Sequence, residues 1–362
     1  MSRQLIGDNM SDFFRQMIKD IGDVDTHIAE DGLHSSEFSG AIDTGSYILN
    51  AALTGSLYGG APNNKITAFA GESATGKTFF VLGIIRQFLI DNPDGGVFYY
   101  DTEAAVTKDM MSERGIDTSR VIVSEQTTVQ SFRTHVMRTL DRYLESDERP
   151  PILFVLDSLG QLSTEKEVSD IADGKDTRDM TRAQLLRGTF RALSLKLAKA
   201  KAAMLVTNHV YDAVGSYMPM KEMGGGAGLK YAASQIVFLS KKKDKDGTEV
   251  VGNIIHCRMH KSRFTKENKM VDVRLSYDTG LDRYYGLLEL AEKYQIIKKV
   301  STRYELPDGS KLFGKQIMAN PEKYFTEDIM HKLEIAAEIE FKYGKVGIDE
   351  VDDTEESQLQ DT

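Results

Sequence analysis

The sequence predicts an α/β fold, with a mainly parallel central sheet flanked by helices. A short helical segment precedes the sheet and a small α+β module follows it. Two observations predict this. Between residues 65 and 240, short apolar runs alternate with longer stretches of helical period, the texture of repeated strand–helix–strand units. Within that stretch, Gly71-Glu72-Ser73-Ala74-Thr75-Gly76-Lys77-Thr78 stands between a strand-like run and a helix-like run, the setting of a phosphate-binding loop. Composition agrees with a folded chain. Of 362 residues, 41% are hydrophobic and 28% charged, which excludes a disordered chain, a collagen or a disulfide scaffold. Cys257 is the one cysteine, so no intrachain disulfide forms and a reducing compartment is expected. No apolar run reaches the roughly 18–20 residues of a membrane span. The opening MSRQLIGDNM lacks the apolar core of a secretory signal. The expected location is the cytoplasm, away from membranes.

Taken in order, residues 1–37 form an N-terminal segment with one amphipathic stretch, SDFFRQMIKDIG. Ser11 reads as its cap, and Phe13, Phe14, Met17, Ile18 and Ile21 recur at helical spacing. So short a helix needs a surface to dock on, either its own domain or a neighbouring subunit. Residues 38–286 form the core. KITAFA, GGVFYYD, VIVSE, ILFVLDS, AAMLVTNHV and QIVFLS read as strands, with FFVLGIIRQFLI and TRAQLLRGTFRALSLKLAKA among the helices between them. SKKKDKDGTEVVG then sets an Asp-Gly turn between two strands. Its Lys241–Lys245 run reads as a solvated turn rather than a nucleic-acid patch. Residues 287–347 form the small α+β module, with a hairpin around Pro307-Asp308-Gly309. Residues 348–362 form an acidic tail, expected to be solvated and disordered.

That tail accounts for much of the net charge of −10. Asp349 to Thr362 holds seven acidic residues and no basic one, leaving 48 acidic against 45 basic in the body. A nearly neutral body neither demands nor forbids a polyanionic partner.

The loop at 71–78 has a specific chemistry. Its glycines let backbone amides turn inward around phosphates, and the following helix N-terminus adds unpaired donors and a positive dipole end. Lys77 is placed to reach the β- and γ-phosphates, and the Thr78 hydroxyl to join a Mg²⁺ shell. Ile152 to Asp157 is an apolar strand ending in a carboxylate, which suits the same metal ion; the plainer role of such an Asp is to cap the next turn. Asp101-Thr102-Glu103 follows the strand GVFYYD, at the carboxyl end where ligands bind in such sheets. Glu103 and Asp101 both qualify as general base. Asn208-His209 ends another strand, where a polar side chain can touch the γ-phosphate; a hydrogen-bonded, non-catalytic histidine is the plainer alternative.

These residues together resemble a known family. The order Thr44-Gly45-Ser46, the loop at 71–78, DTE, LDS, TNH and Gly224-Gly225-Gly226-Ala227-Gly228-Leu229-Lys230 is similar to that of the RecA-type strand-exchange recombinases. The segments from Tyr277 to Leu281 and YYGLLELAEKYQIIKKV also resemble that family, as does the acidic C-terminal tail. DMTRA, NHVY, KEMGGGAGLKYAAS and HKSRFTKE look closest to the UvsX-like recombinases of T4-type bacteriophages. The resemblance covers about residues 38–345.

It implies a RecA-like P-loop ATPase core that uses ATP and Mg²⁺. It implies self-assembly into a helical filament on single-stranded DNA and strand exchange with homologous duplex DNA. Single-strand-binding and mediator proteins are the further partners implied. Residue by residue, Glu103 takes the catalytic glutamate's place. His209 takes the place of a γ-phosphate-sensing glutamine. Lys261 and Arg263 match basic residues that reach a neighbouring protomer's ATP. Met110 stands near where many members stack an aromatic on adenine.

Two segments are expected to bind DNA. One runs from about Ser163 to Arg182, and the other from Val210 to Gly228. The contacts expected are Arg182, Arg191, Lys221 and the glycines Gly224, Gly225 and Gly226, with Arg187 and Lys230 as further cations and Met218, Met220 and Met223 as candidate wedges between bases. Two rivals share the core: a ring-forming helicase or motor, and an ATP-switched DNA-binding regulator without strand exchange.

Overall fold

The computed structural model describes residues 2–22, 26, 28–29, 40–175, 180–212 and 221–344. The acidic tail, Met218, Met220 and the rest of the N-terminal segment lie outside them.

The chain opens with α1 (Ser2–Ile21), β1 (Ala41–Ile42), α2 (Tyr47–Thr54) and β2 (Ala61–Pro62). The core continues through β3 (Ile66–Gly71), α3 (Lys77–Asp91), β4 (Gly96–Asp101), α4 (Lys108–Ser112), β5 (Val121–Glu125), α5 (Val129–Glu145), β6 (Ile152–Asp157), α6 (Glu165–Ala172), α7 (Arg182–Ala200) and β7 (Ala203–Asp212). It then runs through β8 (Lys221–Met223), α8 (Ala227–Ala232), β9 (Gln235–Asp246), β10 (Glu249–Ser262), β11 (Met270–Ser276) and β12 (Gly280–Leu281). The C-terminal region holds α9 (Leu287–Lys293), β13 (Lys298–Val300), β14 (Arg303–Glu305), β15 (Lys311–Leu312), α10 (Gly314–Ala319), α11 (Pro321–Tyr324) and α12 (Glu327–Phe341).

The central sheet runs β5-β4-β6-β7-β3-β9-β10-β11-β12, with β8 paired to β7. The six strands from β5 to β9 are parallel. The hairpin β9–β10 and strands β11 and β12 extend the sheet antiparallel. Asp246 pairs Glu249, so the expected Asp-Gly turn is real, and Gly247 supplies its φ of +63°.

Both faces are covered, which is why the central strands read as continuous apolar runs. On one face, α5 buries Val129, Phe132, Val136 and Leu140, and α7 buries Leu186, Phe190, Leu193 and Leu197. The start of α5 is legible in Thr128, whose side chain accepts from the Ser131 amide in a capping box. On the other face, α3 packs with α2, and the same apolar cluster continues into α9 and α12 of the C-terminal region. A small antiparallel sheet, β13-β14-β15, stands beside these helices.

Three sequence expectations need correction. Lys241–Lys245 lie within β9, paired with β10, rather than in a turn. Ser11 does not cap α1, which begins at Ser2 and is 20 residues long, so Ser11 lies within the helix. Phe13, Phe14, Met17 and Ile21 are exposed on it. The segment from Ser163 to Arg182 is not wholly irregular either. Thr164 and Glu167 form a capping box that starts α6, a signal of Thr-x-x-Glu type present in the sequence. No helix among the described residues is long and apolar enough to cross a membrane.

Candidate nucleotide and DNA site

Four adjacent strands, β4, β6, β7 and β3, bring their carboxyl ends to one edge. The loop after β3 is built as the sequence predicts. Gly71 has no room for a side chain: a Cβ there would lie 2.8 Å from Thr75 Oγ1 and 2.9 Å from the Leu239 carbonyl oxygen. Gly76 takes φ +88° just before α3, a left-handed backbone that favours glycine, and the first-turn amides of that helix have no intrahelical partner. Ser73 and Ala74 are exposed at the loop's crest and Thr75 is buried, its hydroxyl on the Glu72 carbonyl at 2.9 Å. Thr78 sits half-buried in the first turn of α3. Lys77 is buried, and its ammonium donates to the carbonyls of Gly71 at 3.1 Å and Glu72 at 2.9 Å. Burial draws the Lys77 pKa down, against the pull of Glu103 and Asp157.

Asp157 is buried at the end of β6 and is held by both oxygens. Tyr99 donates to one at 2.7 Å, and Thr207 donates to the other. Burial beside Asp157 pushes the Tyr99 hydroxyl far above its usual range, so it acts there only as a donor. Thr102 ties the tips of β4 and β6 together, donating to the Ser158 carbonyl at 2.7 Å and accepting the Ser158 amide at 2.8 Å.

Asp101 and Glu103 separate clearly. Asp101 is buried and spends its carboxylate on the amides of Glu103, at 3.0 Å, and Val106, at 3.4 Å. It shapes the turn that carries Glu103. Glu103 faces the site, and its Oε1 accepts from the Ser158 hydroxyl at 2.6 Å and pairs with His209 Nε2 at 3.1 Å. Burial raises its pKa, but the Ser158 and His209 hydrogen bonds and the charges of His209 and Lys77 outweigh it and hold the carboxyl below its usual range. Sequence reasoning gave no role to Ser158, Thr207 or Tyr99; the serine of LDS and the threonine of TNH were the only local signals.

His209 thus joins the nucleotide edge, and its neighbour Asn208 joins the glycine segment. Asn208 is fully buried, donates to the Gly224 carbonyl at 2.7 Å and accepts the His209 amide at 2.9 Å. Strand β7 runs on into a ribbon with β8, pairing Val210 with Met223 and Asp212 with Lys221. Part of the second segment expected to bind DNA is therefore a ribbon, with 213–220 beyond the described residues. Gly225 and Gly226 take φ of +83° and +75°, a backbone closed to most side chains. Met223 packs against the α5–α7 core rather than projecting as a wedge.

The expected cations are placed unevenly. Arg182 donates to the carbonyls of Leu162, Gly160 and Leu159 at 2.8, 2.9 and 3.2 Å. Lys221 pairs with Glu72 of the phosphate loop at 2.6 Å. Arg191 is exposed and, with Arg133 and Arg187, lines a groove of about 560 Å³ between α5 and α7. Lys230 is exposed at the end of α8. Lys261 donates to the carbonyls of Lys230, Tyr231 and Ala233 at 2.7, 3.2 and 2.7 Å. Arg263 is exposed, and among the described residues no acceptor holds its guanidinium. Met110 lies half-buried in α4.

Comparison with known proteins agrees with this arrangement. The RecA N-terminal domain family matches residues 13–282. The recombination and repair protein of Enterobacteria phage T4 is 29% identical over 252 residues, covering 70% of this chain and 63% of the phage protein. The RecA protein of Clavibacter michiganensis is 27% identical over 308 residues, covering 83% of this chain and 78% of its own length. That of Deinococcus radiodurans is 28% identical over 270 residues, covering 74% and 71%. With the family matched over most of the chain, and with its phosphate loop, strand-end carboxylates and sheet order in place, this chain belongs to the RecA family.

Proposed function

We propose that this chain is an ATP-dependent DNA recombinase. In this reading it assembles as a helical filament on single-stranded DNA and exchanges strands with homologous duplex, serving recombination, repair and recombination-dependent replication of a phage in its host's cytoplasm. One observation carries it. Lys77, Glu103, Asp157 and His209 converge at the ends of four adjacent strands, and the strand bearing His209 runs directly into the ribbon that leads to Gly224–Gly226. A nucleotide site and a backbone-rich segment are thereby parts of one element.

The residues fit a Mg²⁺–nucleotide. The close-packed loop at Gly71 leaves its backbone as the cradle, Thr78 and Asp157 would hold the metal ion, and Lys77 would exchange its carbonyl partners for phosphate oxygens. Mg²⁺, when bound, draws charge from the β- and γ-phosphates. Glu103 orients the attacking water and takes its proton. Ser158 and His209 keep the Glu103 carboxylate ionised and aimed. A γ-phosphate competes with Glu103 for His209, and Asn208 passes the change to Gly224. Arg263 reaches the neighbouring protomer's ATP and stabilises charge in the transition state. Lys261 serves as its partner once freed from the α8 carbonyls. Backbone amides of Gly224–Gly226 and the cation Arg191 hold the DNA backbone, so binding is sequence-tolerant and strongly salt-dependent.

The test is ATP hydrolysis with and without single-stranded DNA, with Lys77→Ala as control, followed by a strand-exchange assay. Stimulation that falls steeply with salt, together with strand exchange, supports the reading. Stimulation with closed hexamers in electron microscopy and no exchange replaces it with a motor. ATP binding without stimulation replaces it with a switch.

A further inference from the structure

The turn joining β10 to β11 carries Arg263 at its start, and the C-terminal region fastens that turn from outside. The Lys266 amide donates to the Phe341 carbonyl at 2.7 Å, and its ammonium to the Ile339 carbonyl at 2.8 Å, both at the carboxyl end of α12. The Thr265 hydroxyl donates to the Ala52 carbonyl at 2.7 Å. The Arg263 amide donates to the Ser234 carbonyl at 3.1 Å, and one carboxylate holds the far end of the turn. Glu340 of α12 accepts from Lys269 at the far end of the turn, at 2.6 Å, and from Lys293 and the Tyr294 hydroxyl at the end of α9, at 2.5 and 2.9 Å.

Its side chain is only 12% exposed, so this is a shielded hub rather than a surface ion pair. Burial pushes its carboxyl up, yet the donors Lys269, Lys293 and Tyr294 hold it down at about 2. The far side of the turn leads back to the trans cations. The Lys269 carbonyl accepts the Met259 amide at 2.8 Å, and the β9–β10 register shifts between Met259 and Lys261. A bulge at that place re-aims the side chains that follow it, here Lys261 and Arg263.

We propose that Glu340 is a positioning residue for ATP hydrolysis in the adjacent protomer. By holding Lys269 it fixes the β10–β11 turn, and with it the direction in which Arg263 is offered across the interface. The inference rests on the trans role of Arg263 proposed above. It makes the C-terminal region part of the hydrolytic machinery of the next site along the filament.

Glu340→Gln keeps the shape and removes the charge. ATP binding by the unassembled protein stays as in the parent, because Glu340 touches no residue of the phosphate loop. DNA-dependent kcat falls roughly 10- to 100-fold, the scale expected when a reacting group is displaced by about 1 Å. Lys269→Gln removes the turn-side charge and shortens the side chain's reach to Glu340, leaving Lys293 and Tyr294 in place; it lowers kcat likewise, and it serves where Glu340→Gln fails to fold. Parental kcat in a folded variant of either kind overturns the inference.

Mixing separates action on the neighbour from action on the protomer's own site. Glu340→Gln retains Glu103, and Glu103→Gln retains an intact turn. In a randomly mixed filament of equal amounts, about half of the head-to-tail interfaces are mixed and about a quarter of all set an intact turn against an intact Glu103, so activity returns to about that quarter. Arg263→Ala mixed with Glu103→Gln is the control. Rescue in the control without rescue of Glu340→Gln or Lys269→Gln sinks the inference and leaves the trans reading standing. No rescue in the control removes the trans reading, and this inference with it.

Discussion

Asn208→Ala tests how the nucleotide edge is joined to the glycine segment. Asn208 is fully buried, and its amide bridges the Gly224 carbonyl at 2.7 Å and the His209 amide at 2.9 Å. Truncation orphans one donor and one acceptor. Each such group costs about 1–3 kcal/mol when buried. His209 and Gly224 keep some access to water, so the expected loss lies at the lower end, about 2–4 kcal/mol in total. The ribbon stays attached, because the Gly224 amide still donates to the His209 carbonyl at 3.0 Å. Asn208→Asp preserves volume but sets a carboxylate oxygen against the Gly224 carbonyl, so it also destabilises; a pure cavity effect would spare it. Urea unfolding at unchanged slope measures the loss. DNA stimulation of ATP hydrolysis measures the coupling and should fall in both variants more than unstimulated turnover does. An alanine variant within about 0.5 kcal/mol of the parent, or an aspartate variant of parental stability, refutes the reasoning.

Glu103→Gln should bind ATP, lower kcat by about 10²–10⁴, the usual worth of a general base, and leave long-lived filaments; rapid turnover in single-turnover kinetics assigns the base elsewhere. Gly228→Ala places a Cβ 2.8 Å from the Arg187 Cα and amide nitrogen. Backbone atoms there yield little, so thermal unfolding should show an overpacking cost of about 1–3 kcal/mol. Glu340 carries a pH signature. Its pKa is depressed from 4.5 to about 2 in the folded chain, so the unfolded state binds more protons between those values. The clamp's contribution is whole above about pH 4.5 and drains away as pH falls toward 2. The Tm gap between the parent and Glu340→Gln should narrow over that window, and a gap unchanged at about pH 3 would show that the carboxylate is not the clamp.

The parts of the site legible in the sequence are those whose chemistry is local. The loop at 71–78, the carboxylate closing β6 and the turn after β4 each sit within a few residues of the strand that places them. The strands themselves were legible because burial on both faces leaves continuous apolar runs. What remained hidden depends on pairs far apart in the chain. Glu103 meets His209 across 106 residues, and Glu340 meets Lys269 across 71. No periodicity encodes either meeting. The contest between Asp101 and Glu103 belongs to the same class: it turns on which carboxylate the backbone amides consume, and only the folded turn shows that Asp101 is the one.

The cations expected to meet DNA illustrate the limit most sharply. Sequence marks a cation by its charge, but a long basic side chain without a polyanion settles on whatever acceptors the fold provides. Arg182 has three carbonyls, and those carbonyls close the short helical turn after β6. These hydrogen bonds occupy its Nε and Nη2, and losing the side chain would leave three acceptors to find new partners. Arg182 thus braces the turn after β6. Arg191 has no such debt, being exposed beside Arg133 and Arg187. Arg191→Ala should therefore weaken single-stranded DNA binding and flatten its salt dependence by about one counterion. Arg182→Ala should act first on thermal stability. The opposite ranking in a salt-titrated binding assay would mean that Arg182 meets the DNA as well as bracing the turn.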